Sequence, residues 1–192
     1  RRNSIMSYID KTLVFESDKV YYTDDFGIEL QVMMTWEDSI MKASADYVCE
    51  GGGDILEIGF GMGISANYIQ ANSISSHTIV ENHPQVIEKA KAWAEGKSNV
   101  TIVEGDWYDV KDSLSTYDGV FYDTWGDDNA LSFVSELPNF TKAGTRVTWW
   151  NNYTDTDDVL YINGTTYQSI SVNPDSNMYF QSNTYCLPKK QF

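Results

Sequence analysis

The spacing of hydrophobic positions changes several times along the chain, and each change marks an element. From residue 38 to 49, Ile40, Met41, Ala45 and Val48 keep helical spacing, and Gly51, Gly52 and Gly53 predict the stop. Strand and helix then alternate. Short apolar runs predict strands at 55–58, 78–80, 100–103, 119–122 and 146–150. Helices are predicted at 64–70, at 82–96 and at 130–137, the last closed by Pro138. In the second of these, Asn82 is the expected cap and Pro84 suits the first turn. Its buried face is Val86, Ile87, Ala90 and Trp93 or Ala94, and Gly96 ends it. After Trp150 the pattern alternates by two. Asn163-Gly164 predicts a hairpin, and residues 177–187 read as a further strand. Residues 1–30 are polar and aromatic and read as an irregular arm.

Alternating strands and helices imply an α/β fold with a parallel sheet covered on both faces, extended by antiparallel C-terminal strands. The expected division is an arm or lid at 1–31 and one domain at 32–192. That length suffices for a full core. The apolar runs are far too short to span a bilayer. A formal charge of −15 repels a phosphate backbone and draws small cations, so nucleic acid is not the expected partner. Cys49 and Cys186 fit no metal or redox spacing. With no secretory pattern at the start, a cytoplasmic chain with reduced thiols is expected, and the N-x-T triplets at Asn99, Asn139, Asn152 and Asn163 read as chance. Oligomeric state is not legible.

The chemistry concentrates in "ILEIGFGMGIS", residues 55–65. A glycine turn after the first strand of such a sheet is one wall of the ligand crevice. A phosphate loop requires Lys followed by Ser or Thr after its last glycine, and none is present. A dinucleotide turn places its third glycine at 64, where this chain has Ile64. Glycines at 59, 61 and 63 suit the amino-acid part of S-adenosylmethionine. Glu81, just after the second strand, can accept both ribose hydroxyls, as in nicotinamide proteins too. Asp106 can accept from the adenine amino group and Trp107 can cover the ring; otherwise they read as a helix cap and a core aromatic. His77 and His83 read as local structure, and Asp127 and Asp128 as a solvated turn.

"VMMTWEDSIM", "ILEIGFGMGIS", "HTIVENHP", "EGDWYDV" and "YDGVFYDTW" occur in that order. Together, from about residue 32 to 152, they resemble guanidinoacetate N-methyltransferase and the related arginine δ-N-methyltransferase. The resemblance implies a Rossmann-like class I methyltransferase fold with a seven-stranded sheet. It implies that Phe60, Gly61, Met62, Gly63, Ile64 and Ser65, with Gly59, line the methionine part of the cofactor. Glu81 and Asn82 would hold the ribose, Asp106 and Trp107 the adenine, and Met33 and Met41 would border the pocket. Glu37 falls on the carboxylate that holds a guanidino group and Asp123 on the carboxylate beside the methylated nitrogen. Asn152 and Tyr153 fall where backbone amides bind a substrate carboxylate. The implied activity is S-adenosylmethionine-dependent methylation of a small guanidinoacetate-like cation, leaving S-adenosylhomocysteine. Arginine (free or peptidyl), another small amine and a non-catalytic cofactor-binding role stand as alternatives. The segment "WWNNYTD" departs from the family, and Phe15, Tyr21, Tyr22 and Phe26 all stand open as residues closing over the ligands.

Overall fold

The structure is a computed structural model that describes residues 7–151, 160 and 162–192. Its centre is a seven-stranded sheet in the order β6-β5-β4-β7-β8-β10-β9. The parallel strands are β4 (Asp54–Ile58), β5 (Ser76–Glu81), β6 (Val100–Glu104), β7 (Tyr117–Tyr122) and β8 (Thr141–Trp149). β10 (Thr184–Gln191) runs antiparallel between β8 and β9 (Thr166–Ser171). This is the fold class expected from the alternation of elements.

Helices cover both faces. α1 (Asp38–Cys49) and α2 (Ile64–Gln70) pack together on one face with Ile55 and Phe121. On the other face, α5 (Phe133–Phe140) packs with Leu56, Val120 and Tyr122, the alternate residues of the same strands. α3 (Pro84–Ala94) buries Val86 and Ala90 against Ile79, and the short α4 (Trp107–Val110) contributes Trp107 to the core. Among the described residues no helix is long and apolar enough to cross a membrane.

Several expectations need correction. Much of the arm is regular: β1 (Val14–Phe15), β2 (Lys19–Thr23) and β3 (Glu29–Met34) form an antiparallel meander. Its hairpin turn is built by Asp24, whose carboxylate accepts from the amides of Phe26 and Ile28 at 2.8 Å. α3 is capped by His83, whose side chain accepts from Gln85 N, not by Asn82. Pro138 lies inside α5, in its last turn, where its missing N–H forgoes one helical hydrogen bond and the helix ends two residues later. The Asn163-Gly164 turn closes with Thr165 N donating to the Ile162 carbonyl, but the described partner of β9 is β10. Residues 177–183 precede β10 as a loop.

α1 packs close to β7 because residue 119 has no side chain. A Cβ on Gly119 would lie 2.2 Å from the Val48 carbonyl oxygen. Gly119→Ala should therefore cost about 1–3 kcal/mol or more through overpacking. The expected readout is a lower urea midpoint with an unchanged slope; an unchanged midpoint would mean that α1 can shift without cost.

Candidate active site

The site grows from the carboxyl ends of β4 and β7. At residue 59 the chain turns with φ 94°, and a Cβ there would meet the Asp123 carbonyl oxygen at 1.8 Å. Only glycine lets the two strand ends lie this close. Asp123 N donates to the Ile58 carbonyl at 2.9 Å, which fixes Asp123 beside the glycine turn. Met33 of β3 lies against the turn, with Met62 N donating to its sulfur at 3.2 Å. Gly63 caps α2 in the left-handed conformation.

A cleft of about 990 Å³, open mouth included, spans these strand ends. Of the residues singled out from the sequence, Met33, Glu37, Gly59, Phe60, Gly61, Ser65, Glu81, Asn82, Asp106, Trp107 and Asp123 line it. Met41 does not: α1 carries it into the core, where it is fully buried. Met62 and Ile64 pack on core clusters, and Gly63 is buried behind the turn; none of the three lines the cleft. Asn152 and Tyr153 lie outside the described residues.

Glu81 is more committed than its sequence suggests. Its Oε1 accepts from the amides of Asn82 and His83, and its Oε2 from that of Phe60, each at 2.9 Å. A carboxylate has about four acceptor sites. Three of them are taken here, which leaves room for about one further donor in this conformation. Burial raises its pKa while the three amides pull it down. Beneath the turn, the fully buried Glu57 accepts from the Ser65 hydroxyl and lies 2.9 Å from His77 Nε2. His77 is thus a structural support. Asp106 Oδ1 caps α4 through Tyr108 N at 2.9 Å, so its cap reading and its place in the cleft both hold. Trp107 is likewise both cleft wall and core, 2% exposed and edge-on to Tyr122 and Phe133.

Glu37 and Asp123 face the same cleft from different elements. Glu37 ends a 3-10 turn and leads into α1; it is 3% exposed. Its Oε1 accepts from Met34 N at 2.8 Å and from the Tyr179 hydroxyl. Burial, then the Asp123 charge, push its pKa up to about 8, against the pull of those two donors. Asp123 is half-buried, its carboxylate accepts from no described residue, and desolvation by its surroundings, then Glu57, push it up to about 7. Trp125, Trp150 and Tyr179 complete this part of the wall. Two acids with raised pKa values and three aromatic residues thus share this part of the cleft.

The sequence reading missed several lining residues. Asp127 is no solvated turn: its carboxylate gathers Trp107 Nε1 at 2.6 Å, the Tyr122 hydroxyl and Asn129 N at 2.7 Å. The arm residue in the wall is Tyr8, not Phe15, Tyr21, Tyr22 or Phe26. Tyr8 stacks near His83, 4.9 Å between ring centres, and His83 Nε2 donates to the Lys11 carbonyl. No local pattern flags Tyr8 or Tyr179; both arrive by long-range packing.

A model of the guanidinoacetate N-methyltransferase family matches residues 18–162. Protein arginine N-methyltransferase 2 of Aspergillus oryzae is 39% identical over 127 residues, 62% of this chain and 30% of that protein. The protein of the same name from Aspergillus fumigatus is 39% identical over 138 residues, 67% of this chain and 31% of that one. The chain therefore spans about three tenths of the length of these curated relatives. Among solved structures, spermidine synthase from Thermotoga maritima aligns with TM-score 0.65 and 11% identity, over 94% of this chain and 72% of that one. SMU.776, a putative methyltransferase complexed with SAH, aligns with TM-score 0.60 and 11% identity, over 94% and 56%. At such identities the likeness is one of fold.

The raised pKa values have a consequence for stability. An acid whose folded pKa exceeds its unfolded value binds extra protons in the folded state, so its contribution falls as pH rises through the window between them. For Asp123 that window runs from about 4 to about 7. Without ligand, Asp123→Asn should be more stable than the parent at pH 8, by roughly 1–3 kcal/mol. The gain should shrink toward pH 4. Thermal melts across that range check this; a variant that is less stable at pH 8 would contradict the desolvation of Asp123.

Proposed function

This chain belongs to the guanidinoacetate N-methyltransferase family, and from that premise we propose that it is an S-adenosylmethionine-dependent N-methyltransferase acting on a small guanidino cation. One observation carries the reading: Glu37 and Asp123 face one cleft beside the glycine turn, each with its ionised form disfavoured by burial. A guanidinoacetate-like acceptor follows the family, and arginine is the second reading, favoured by the names of the fungal relatives.

The cleft fits the cofactor. The turn at 59–61 offers backbone without side chains, Glu81 keeps capacity for one hydroxyl, and Asp106 and Trp107 supply an acceptor and a ring face. A fold neighbour described as complexed with SAH supports the same ligand class. When bound, S-adenosylmethionine supplies a methyl group on a sulfonium. Gly59, Phe60 and Gly61 would hold its amino-acid part, Glu81 and Asn82 its ribose, and Asp106 and Trp107 its adenine.

The chain's own residues then have to make a guanidinium react. That group stays protonated at neutral pH and its nitrogens are poor nucleophiles. Asp123 accepts one N–H, holds the guanidino plane and takes its proton as the new N–C bond forms. A pKa near 7 suits that task, since the group is largely ionised just above neutrality and still a competent base. Glu37 binds the other edge of the fork through Oε2, which accepts from no described residue. Trp125, Trp150 and Tyr179 line the cleft around the pair and would shield it from water once the ligands are bound.

With methyl-labelled cofactor, label should pass to guanidinoacetate or arginine. Asp123→Asn should lower turnover roughly 100-fold or more, with S-adenosylhomocysteine affinity by calorimetry within about twofold. Asp106→Ala should weaken that affinity about tenfold, a loss of about 1.4 kcal/mol. Tight S-adenosylhomocysteine binding with no transfer to any guanidine, peptide or amine would identify a binding domain instead. Undiminished turnover in Asp123→Asn would remove that residue from the chemistry.

A further inference from the structure

Tyr179 lies beyond residue 162, where the family match ends, yet it lines the cleft. It sits on the loop that leads into β10. Asn177 Oδ1 builds that loop, accepting from Tyr179 N at 2.9 Å and from Phe180 N at 2.7 Å. Met178 N ties it to Gln31 of β3 at 3.2 Å. The Tyr179 ring stacks on Trp36, 5.8 Å between centres, and meets Trp125 and Trp150 at 6.2 and 6.1 Å. Its orientation is therefore fixed on several sides. The buried Trp36 indole N–H lies near the Tyr179 hydroxyl but outside hydrogen-bonding geometry.

The hydroxyl itself points to Glu37. It shares Glu37 Oε1 with the Met34 amide, while Oε2 accepts from no described residue. We infer that Tyr179 is a positioning residue for the acceptor: by occupying Oε1 together with the Met34 amide, its hydroxyl commits Glu37 Oε2 to the N–H edge of a guanidino cation. This rests on the proposed function. It assigns part of the acceptor selection to the C-terminal loop, outside the matched family region.

The same contact has a pH signature. The charged and titratable groups bearing on Glu37 are Asp123, at the end of β7, and Tyr179; its neighbour Asp38 pairs instead with the Tyr68 hydroxyl at 2.9 Å. Asp123 and burial raise the Glu37 pKa, and the Tyr179 hydroxyl opposes them. Glu57 acts on Asp123 from beneath. Removing the hydroxyl leaves Glu37 protonated to a higher pH, so the acceptor should be lost near neutrality and regained in alkali.

The test is Tyr179→Phe, which keeps the ring. Its kcat/KM for the acceptor should fall about tenfold at pH 7, with the acid limb moved roughly one unit upward, and the deficit should shrink by pH 9. S-adenosylhomocysteine affinity should not change. The Glu37 carboxyl carbon, followed by carbon-13 NMR and assigned with Glu37→Gln, should titrate at higher pH in the variant. A parent active on guanidines whose variant keeps the parental pH profile, or loses activity equally at every pH, overturns the role of Tyr179 alone. A parent that methylates no guanidine overturns the proposed function, and the acceptor role falls with it.

Discussion

Two carboxylates that share one cleft, Glu37 buried and Asp123 half-buried, are the constraint on which the rest of this molecule depends. Burial makes the charges of Glu37 and Asp123 costly, and neither acid has a cationic partner among the described residues. A buried charge left uncompensated works against folding. The same desolvation strengthens any cation that enters. On the proposed reading, stability forgone in the empty protein becomes affinity for a positively charged ligand, and the chain's formal charge of −15 adds a field that would draw such a ligand in.

The sheet explains why the pair can be held at all. Parallel strands deliver residues to one edge, and β4 and β7 are adjacent there. The missing side chain at Gly59 lets the ends of these strands close up, which sets Asp123 against the turn expected to receive the cofactor. Glu37 comes from the other direction, at the join between the N-terminal meander and α1. The C-terminal loop reaches back to orient it through Tyr179. Segments distant in sequence thus meet in one charged cleft.

Much of this was legible because it is local. α2 spans the predicted residues 64–70, α1 the predicted 38–49, and the five parallel strands lie where short apolar runs sit. The glycine turn, and Glu81 and Asp106 after their strands, follow from position in the sequence, whereas Glu37 and Asp123 follow from the family resemblance. Other features required tertiary information. The meander strands mix aromatic, charged and apolar residues, so neither period stands out in "KVYYT" or "ELQVMM". Helical spacing made Met41 a core residue while the family resemblance made it a pocket candidate, and only packing separates these. Asp127 read as a solvated turn because its donors, Trp107 and Tyr122, come from other elements. The hydrogen bonds that Glu81 accepts from the backbone amides of 60, 82 and 83 leave no mark in side-chain sequence.

The most direct measurement of the central claim is proton release on acceptor binding. At pH 7 the pair retains protons when empty, because its pKa values are raised to about 7 and about 8. A guanidinium between the two acids lowers both values, so its arrival must expel protons. Calorimetry of the S-adenosylhomocysteine complex, repeated in buffers of different ionisation enthalpy, counts them. Release on the order of one proton per site at pH 7 is expected, fading by pH 9. Binding with no proton release at pH 7 would contradict a desolvated acid pair as the acceptor's partner.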